Sequence, residues 1–164
     1  MGSRGRHNPA RLLVPGRYGM KSPKWVVGIR PTRTVYVGWY GRLGWNKVAF
    51  VQAMTRIDLP ANGATIPAGP QKIAGIADAG SRGVSKVEFS LDGGKAWQPA
   101  TFLEDPKAKD VWVRWQGTFT MPASSTLTLA ARLTDGNGTL QNTRYTITQP
   151  DGGTGLNTAV VKSA

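Results

Sequence analysis

The stretch Lys86–Trp97, KVEFSLDGGKAW, decides the fold class. Val87, Phe89 and Leu91 alternate with Glu88 and Ser90, a period of two that predicts a strand with one apolar and one wet face. Asp92-Gly93-Gly94 follows, residues that tolerate the positive φ of a tight turn. Trp97 begins the returning strand and has the bulk to anchor a core. The reading is a β-hairpin.

Ser90, Asp92, Gly94 and Trp97 also satisfy S-x-D-x-G-x-x-W, the Asp-box. That pattern braces a hairpin and carries no catalysis. It occurs once here without a repeat, which argues against a propeller built of such blades.

The same rhythm continues on both sides. Val48–Thr55 reads as strand, with a stop at Arg56–Pro60 and a turn at Asn62-Gly63. Gln71–Ala77 is strand, and 78–83 (DAGSRG) is loop. Phe102–Lys109 is a charged loop, and Val111–Phe119 alternates. Ser125–Thr134 is a long strand, closed by the strong turn signal Asp135-Gly136-Asn137-Gly138. Arg144–Thr148 and Thr158–Val161 complete the set. About seven short strands separated by turns predict an all-β, immunoglobulin-like β-sandwich. With 164 residues, 21 glycines and 11 prolines, one such domain plus an appendage is the natural size.

The appendage is the first third. Residues 1–57 carry eleven Lys/Arg and no Asp/Glu, whereas 58–164 carry ten and nine, so nearly all of the net +12 lies at one end. A one-sign segment repels itself unless an anion or an acidic partner compensates it. Arg11–Trp25 breaks at Pro15-Gly16 and turns again at Gly19 and Ser22-Pro23. Trp25–Ile29 then resumes as strand. Arg17, Lys21 and Lys24, beside backbone N–H groups freed by glycine, form a candidate anion cradle. Residues 30–47, with Tyr36, Trp39, Tyr40 and Trp45 among glycines, read as a linker that packs onto something. Aromatics beside Arg33 and Arg42 could stack on bases, but such residues more often plug an interface.

Several chemistries are excluded. There is no cysteine, so the chain offers neither a disulfide nor a thiolate ligand. The single histidine, His7, permits no Ser/His/Asp set and no His-based metal site in the folded part. Asp92, Asp135 and Asp151 adjoin turn glycines, which explains them without catalysis. No apolar run approaches a membrane span, and Leu12–Val14 is too short for a secretory h-region.

Three motifs together resemble one family. RLLVPGRYGMKSPKW (11–25) is similar to the segment R-x-V-V-P-G-x-x-G-A-R-S-V-K-W that ends the molybdopterin domain of sulfite-oxidase-type oxidoreductases. Arg56-Ile57-Asp58-x-Pro60 resembles the start of that family's C-terminal dimerisation domain. GIADAGSRGVSKVEFSLDGGKAW (75–97) with WVRW (112–115) resembles its body. The resemblance implies that 1–47 is the C-terminal remnant of a molybdopterin-binding domain with its linker, and that 48–164 is an immunoglobulin-like dimerisation domain. It places cofactor contacts on Arg11, Ser22, Pro23 and Lys24, where charge-assisted hydrogen bonds would grip an anionic phosphate.

The resemblance also implies a molybdenum–molybdopterin cofactor in the full-length enzyme, a homodimer, an upstream molybdopterin domain and a redox partner. No nucleic-acid partner follows from it. A family histidine falls on Arg6, one place before His7. A family arginine that serves oxyanion binding in animal and plant sulfite oxidases falls on Thr158, which weighs against sulfite itself as substrate. The molybdenum-ligating cysteine lies upstream in the family. The chain is therefore expected to be inactive alone, as a truncated product or one part of a split enzyme. The alternative is a free-standing immunoglobulin-like module that binds protein or glycan.

Overall fold

A computed structural model describes residues 10–104 and 109–164. Nine strands occur among them: β1 (Met54–Leu59), β2 (Thr65–Ile66), β3 (Gly69–Asp78), β4 (Val84–Ser90), β5 (Gln98–Pro99), β6 (Thr101–Phe102), β7 (Val113–Met121), β8 (Thr126–Asp135) and β9 (Asn157–Ser163). They form a four-stranded sheet, β1-β3-β7-β6, and a five-stranded sheet, β2-β9-β8-β4-β5. The all-β, immunoglobulin-like sandwich expected from the alternation is the architecture found.

The core lies between the sheets. Ile73 on β3, Trp115 and Met121 on β7, Val87 on β4, Leu129 and Leu133 on β8, and Val161 on β9 are all essentially inaccessible. Burial of side chains of this size stabilises the fold by about 1.5–3 kcal/mol each. Two glycines allow close approaches, Gly75 to the neighbouring strand β1 and Gly117 to the facing sheet. A Cβ on Gly75 would lie 1.8 Å from the Arg56 carbonyl oxygen, and one on Gly117 would lie 2.3 Å from the Phe89 ring.

The hairpin is present, with β5 antiparallel to β4. Its turn is held as the Asp-box requires. Ser90 Oγ and Asp92 Oδ1 are 2.6 Å apart, Gly94 N–H donates to Ser90 Oγ at 2.8 Å, and the Lys95 and Ala96 N–H groups donate to Asp92 Oδ1. These donors hold the Asp92 carboxyl well below its ordinary value, at about 2, the Ser90 hydroxyl contributing most.

Two details of the hairpin differ from expectation. The wet face is not wet: Ser90 and Glu88 are buried. Central β4 is flanked by β8, and Lys86 and Arg132 close over Glu88, at 2.6 and 3.0 Å. Burial pushes the Glu88 carboxyl up, but those two cations outweigh it and the net shift is downward. Nor does Trp97 anchor the core. It is half-buried under the Arg132 guanidinium, 4.1 Å from the ring centroid, and Trp115 holds the centre instead.

Three strand boundaries also change. β1 begins at Met54, not Val48, and runs through the expected stop as far as Leu59. Residues 48–51 turn away because Asn46 Oδ1 accepts the Val48 and Ala49 N–H groups. Their backbone pairs with the N-terminal arm instead. Trp25–Ile29 and Arg144–Thr148 are not ladder strands; the second makes one bridge, Thr146 to Thr154. A helical turn at Trp39–Arg42 interrupts the expected linker.

Candidate cofactor-binding face

The N-terminal arm folds back on itself. Arg11 bridges Lys24 in antiparallel fashion, Leu12 N–H donates to the Pro23 carbonyl at 3.0 Å, and Val26 N–H to the Ala10 carbonyl at 3.0 Å. Pro15-Gly16 and a 3-10 turn at Gly19–Lys21 make the reversal between the two limbs. Arg11, Ser22, Pro23 and Lys24 thus come from opposite limbs of one loop, eleven to thirteen residues apart in sequence but adjacent in space.

Their roles divide. Arg11 Nε donates to the Ser22 carbonyl at 3.2 Å, which fixes the guanidinium at the mouth of the loop. Ser22 Oγ accepts from Val14 N–H at 3.3 Å and the residue is only 8% exposed, so its hydroxyl braces the loop from inside. Pro23 and Lys24 are exposed. Arg11 and Ser22 line a shallow cleft of about 490 Å³ between the arm and the sandwich, whereas Pro23 and Lys24 lie outside its lining.

The expected cradle is only partly formed. Arg17 is committed elsewhere: Nη1 donates to the Val48 carbonyl at 2.8 Å and the guanidinium lies 3.4 Å from the Phe50 ring centroid. The Lys21 and Ser22 N–H groups close the 3-10 turn onto Tyr18 and Gly19 and are not free for an anion. Among the described residues, no basic side chain in 10–47 makes an ion pair. Arg11 and Lys24 thus carry charge that no carboxylate among the described residues pairs. Asp78 and Asp110 share the lining of that cleft with Arg11 and Arg17, while Lys24 stands outside it.

The arm docks on the sandwich through contacts that the sequence did not signal. Val51 N–H donates to the Gly16 carbonyl at 3.0 Å, and Tyr18 N–H to the Ala49 carbonyl at 2.9 Å. Gly16 sits at φ +67°, and a Cβ there would lie 2.1 Å from Ser81 Oγ, so only glycine allows this approach. Arg82 on the sandwich bonds both Asp135 and the Val51 carbonyl. These partners lie tens of residues apart, and nothing local in the chain marks them.

Thr158 lies on β9, opposite Ala130, with an exposed side chain, far along the sequence from the arm. Arg6 and His7 fall outside the described residues. Among the described residues there is no group of three or more His, Asp or Glu placed to hold a metal ion. No helix among them is long and apolar enough to cross a membrane.

Known proteins place this geometry in context. Residues 54–148 match the family described as bacterial Ig domain. Sulfite oxidase from Gallus gallus is 29% identical over 154 residues, covering 81% of this chain and 34% of the chicken protein. Mitochondrial sulfite oxidase from Homo sapiens is 32% identical over 136 residues, covering 70% and 25%. The Arabidopsis thaliana sulfite oxidase is 25% identical over 159 residues, covering 81% and 40%. The solved sulfane dehydrogenase SoxCD from Paracoccus pantotrophus superposes with a TM-score of 0.70 at 26% identity, over 95% of this chain and 44% of that one. The chain spans 25 to 40% of the length of these sulfite oxidases. This chain belongs to the bacterial Ig domain family through residues 54–148, and it is homologous to the sulfite-oxidase family of enzymes.

Proposed function

We propose that this chain is one part of a molybdopterin-dependent oxidoreductase of the sulfite-oxidase family. Residues 1–47 contribute one wall of the molybdenum-cofactor pocket, and 48–164 form the homodimer interface. The observation that carries this reading is coverage. A likeness over 95% of the chain takes in the basic arm before Met54 as well as the Ig-like domain. A free-standing interaction module would need to share only the sandwich.

The residues present suit the phosphate of a pterin cofactor. Arg11 and Lys24 would hold it by charge-assisted hydrogen bonds. Ser22 keeps the two limbs of the loop in register through Val14, and Pro23 fixes the backbone between Ser22 and Lys24. When bound, the group supplies two-electron chemistry toward a small oxyanion or sulfoxide-like substrate. The chain itself has no cysteine to ligate molybdenum, so that ligand comes from elsewhere in the enzyme. A separate polypeptide or upstream domain would supply it, and a redox partner would exchange the electrons.

The test is the pterin content of the complex isolated with the wild-type chain and with the Arg11→Ala/Lys24→Ala variant. Loss of most of the pterin in the variant, with the sandwich still folded, is expected. Equal pterin in both would overturn the assignment of these residues.

A further inference from the structure

Three segments meet around an aromatic pocket at the closed end of the arm loop, away from the open end where Val26 meets Ala10. The pocket encloses about 360 Å³. Its walls are Tyr18 and Met20 of the arm, Tyr40 and Trp45 at the helical turn, and Gly152-Gly153. The Tyr40 and Trp45 rings stand edge to face, at 85° with centroids 6.4 Å apart. The polar groups around them tie the walls together. Gln52 N–H donates to the Tyr18 hydroxyl at 3.1 Å, Trp45 N–H to the Tyr40 carbonyl at 3.0 Å, and Asn46 N–H to the Pro150 carbonyl at 3.0 Å. Gln149 Nε2 donates to the Leu43 carbonyl at 2.7 Å, across 106 residues of sequence. Gly152, at φ +100°, lies so near Tyr18 that a Cβ there would stand 2.2 Å from the hydroxyl. A concave, apolar site of this size with its walls already tied has the form of a small-molecule site.

We propose that this pocket binds a small aromatic carboxylate. Rings set edge to face offer both a face and an edge to a flat guest. Charge selects its sign. A second depression of about 240 Å³ shares Met20 and Tyr40 with the first and adds Lys21 and Lys47. Neither lysine makes an ion pair among the described residues. No Asp or Glu lines either depression, and Asp151, next to Gly152, accepts from Asn46 Nδ2. An aromatic cage ordinarily suits an ammonium guest. Here that guest would sit beside two ammonium groups with no counter-charge in the lining. A ring seated against Tyr40 and Trp45 instead turns its carboxylate across the shared Met20–Tyr40 rim toward the lysines. Neither depression shares a lining residue with the cleft at Arg11 and Ser22. The proposal therefore stands whether or not the chain serves a molybdopterin enzyme.

The probe is 2-naphthoate, titrated into the full chain carrying 13C in its methionine methyl groups. Met20 borders both depressions, whereas Met54 begins β1 and Met121 lies in the core. The three methyls thus separate binding in the pocket from any change in the sandwich, and report whether a variant is folded. A saturable shift at Met20 alone is expected, weakening with added salt. Affinity should fall about fivefold in Lys21→Gln/Lys47→Gln. The trimethylammonium analogue of the same ring, and octanoate, which has the charge without the ring, should each bind about tenfold more weakly. No shift at Met20, binding of either analogue as tight as that of 2-naphthoate, or equal affinity in the folded lysine variant would each overturn the proposal. So would loss of the Met20 response when the chain is in its native assembly, which would mark the pocket as a packing surface.

Discussion

Arg82 ties the buried carboxylate of Asp135 to the 48–51 segment. Its Nε donates to Asp135 Oδ2 at 2.9 Å and its Nη2 to the Val51 carbonyl at 3.2 Å. Asp135 is almost wholly buried, and its other oxygen accepts the Asn137 and Thr139 N–H groups of the β8 turn. One guanidinium thus neutralises a buried carboxylate and pins the segment against which the arm lies.

Removing that guanidinium leaves Asp135 buried without its cation. Arg82→Ala is expected to destabilise the fold by about 3 kcal/mol, the usual scale for breaking such a pair from one side. Arg82→Lys keeps the charge but not the two-pronged geometry, and is expected to cost about 1 kcal/mol. Urea unfolding of the three proteins checks both. An Arg82→Ala loss under about 0.5 kcal/mol would show that Asp135 is held by its backbone donors alone.

The sheet contacts at glycine set a second expectation. Gly75→Ala drives a Cβ into the Arg56 carbonyl, a backbone atom that yields only if β1 moves off β3. Gly117→Ala meets the Phe89 ring, which can rotate. Both lie in the range of about 1–3 kcal/mol for overpacking, with Gly75→Ala the more costly. Thermal unfolding should rank the melting temperatures as wild type, then Gly117→Ala, then Gly75→Ala.

Asp92 gives the hairpin an acid sensitivity. Its carboxyl is lowered in the fold to about 2 from an unperturbed 3.8. A depressed carboxyl contributes stability that is complete above the unfolded value and is lost as pH falls through the folded one. The contribution of Asp92 should therefore be intact at pH 5 and largely gone near pH 2. Asp92→Asn keeps the shape of the side chain and removes its titration. The difference in melting temperature between wild type and Asp92→Asn should shrink from pH 5 to pH 2. A difference that is constant over this window would mean that the carboxylate charge does no bracing.

The sequence was informative wherever structure is local. The period-two pattern of 86–91 and the Asp-box turn found the hairpin, and the spacing of turn signals found the sandwich. Local pattern failed where a distant segment competes. Residues 48–51 read as strand because they are apolar, but Asn46 and the arm capture their amides. Trp97 and Trp115 look alike in sequence, and only the closing of the second sheet decides which is buried. For the candidate site, Arg11 and Lys24 were legible through resemblance and meet across one loop. Arg17 was legible as a basic residue, but Phe50 and Val48, which engage it, lie over thirty residues away.

The central claim is that this chain works as part of a molybdopterin enzyme. The most direct test is to isolate the chain with its native partners and measure molybdenum and pterin per chain. Near one of each per chain is expected, in an assembly whose mass corresponds to two copies. A pure, folded chain with its partners and neither molybdenum nor pterin would contradict the claim and leave an Ig-like interaction module with a basic arm.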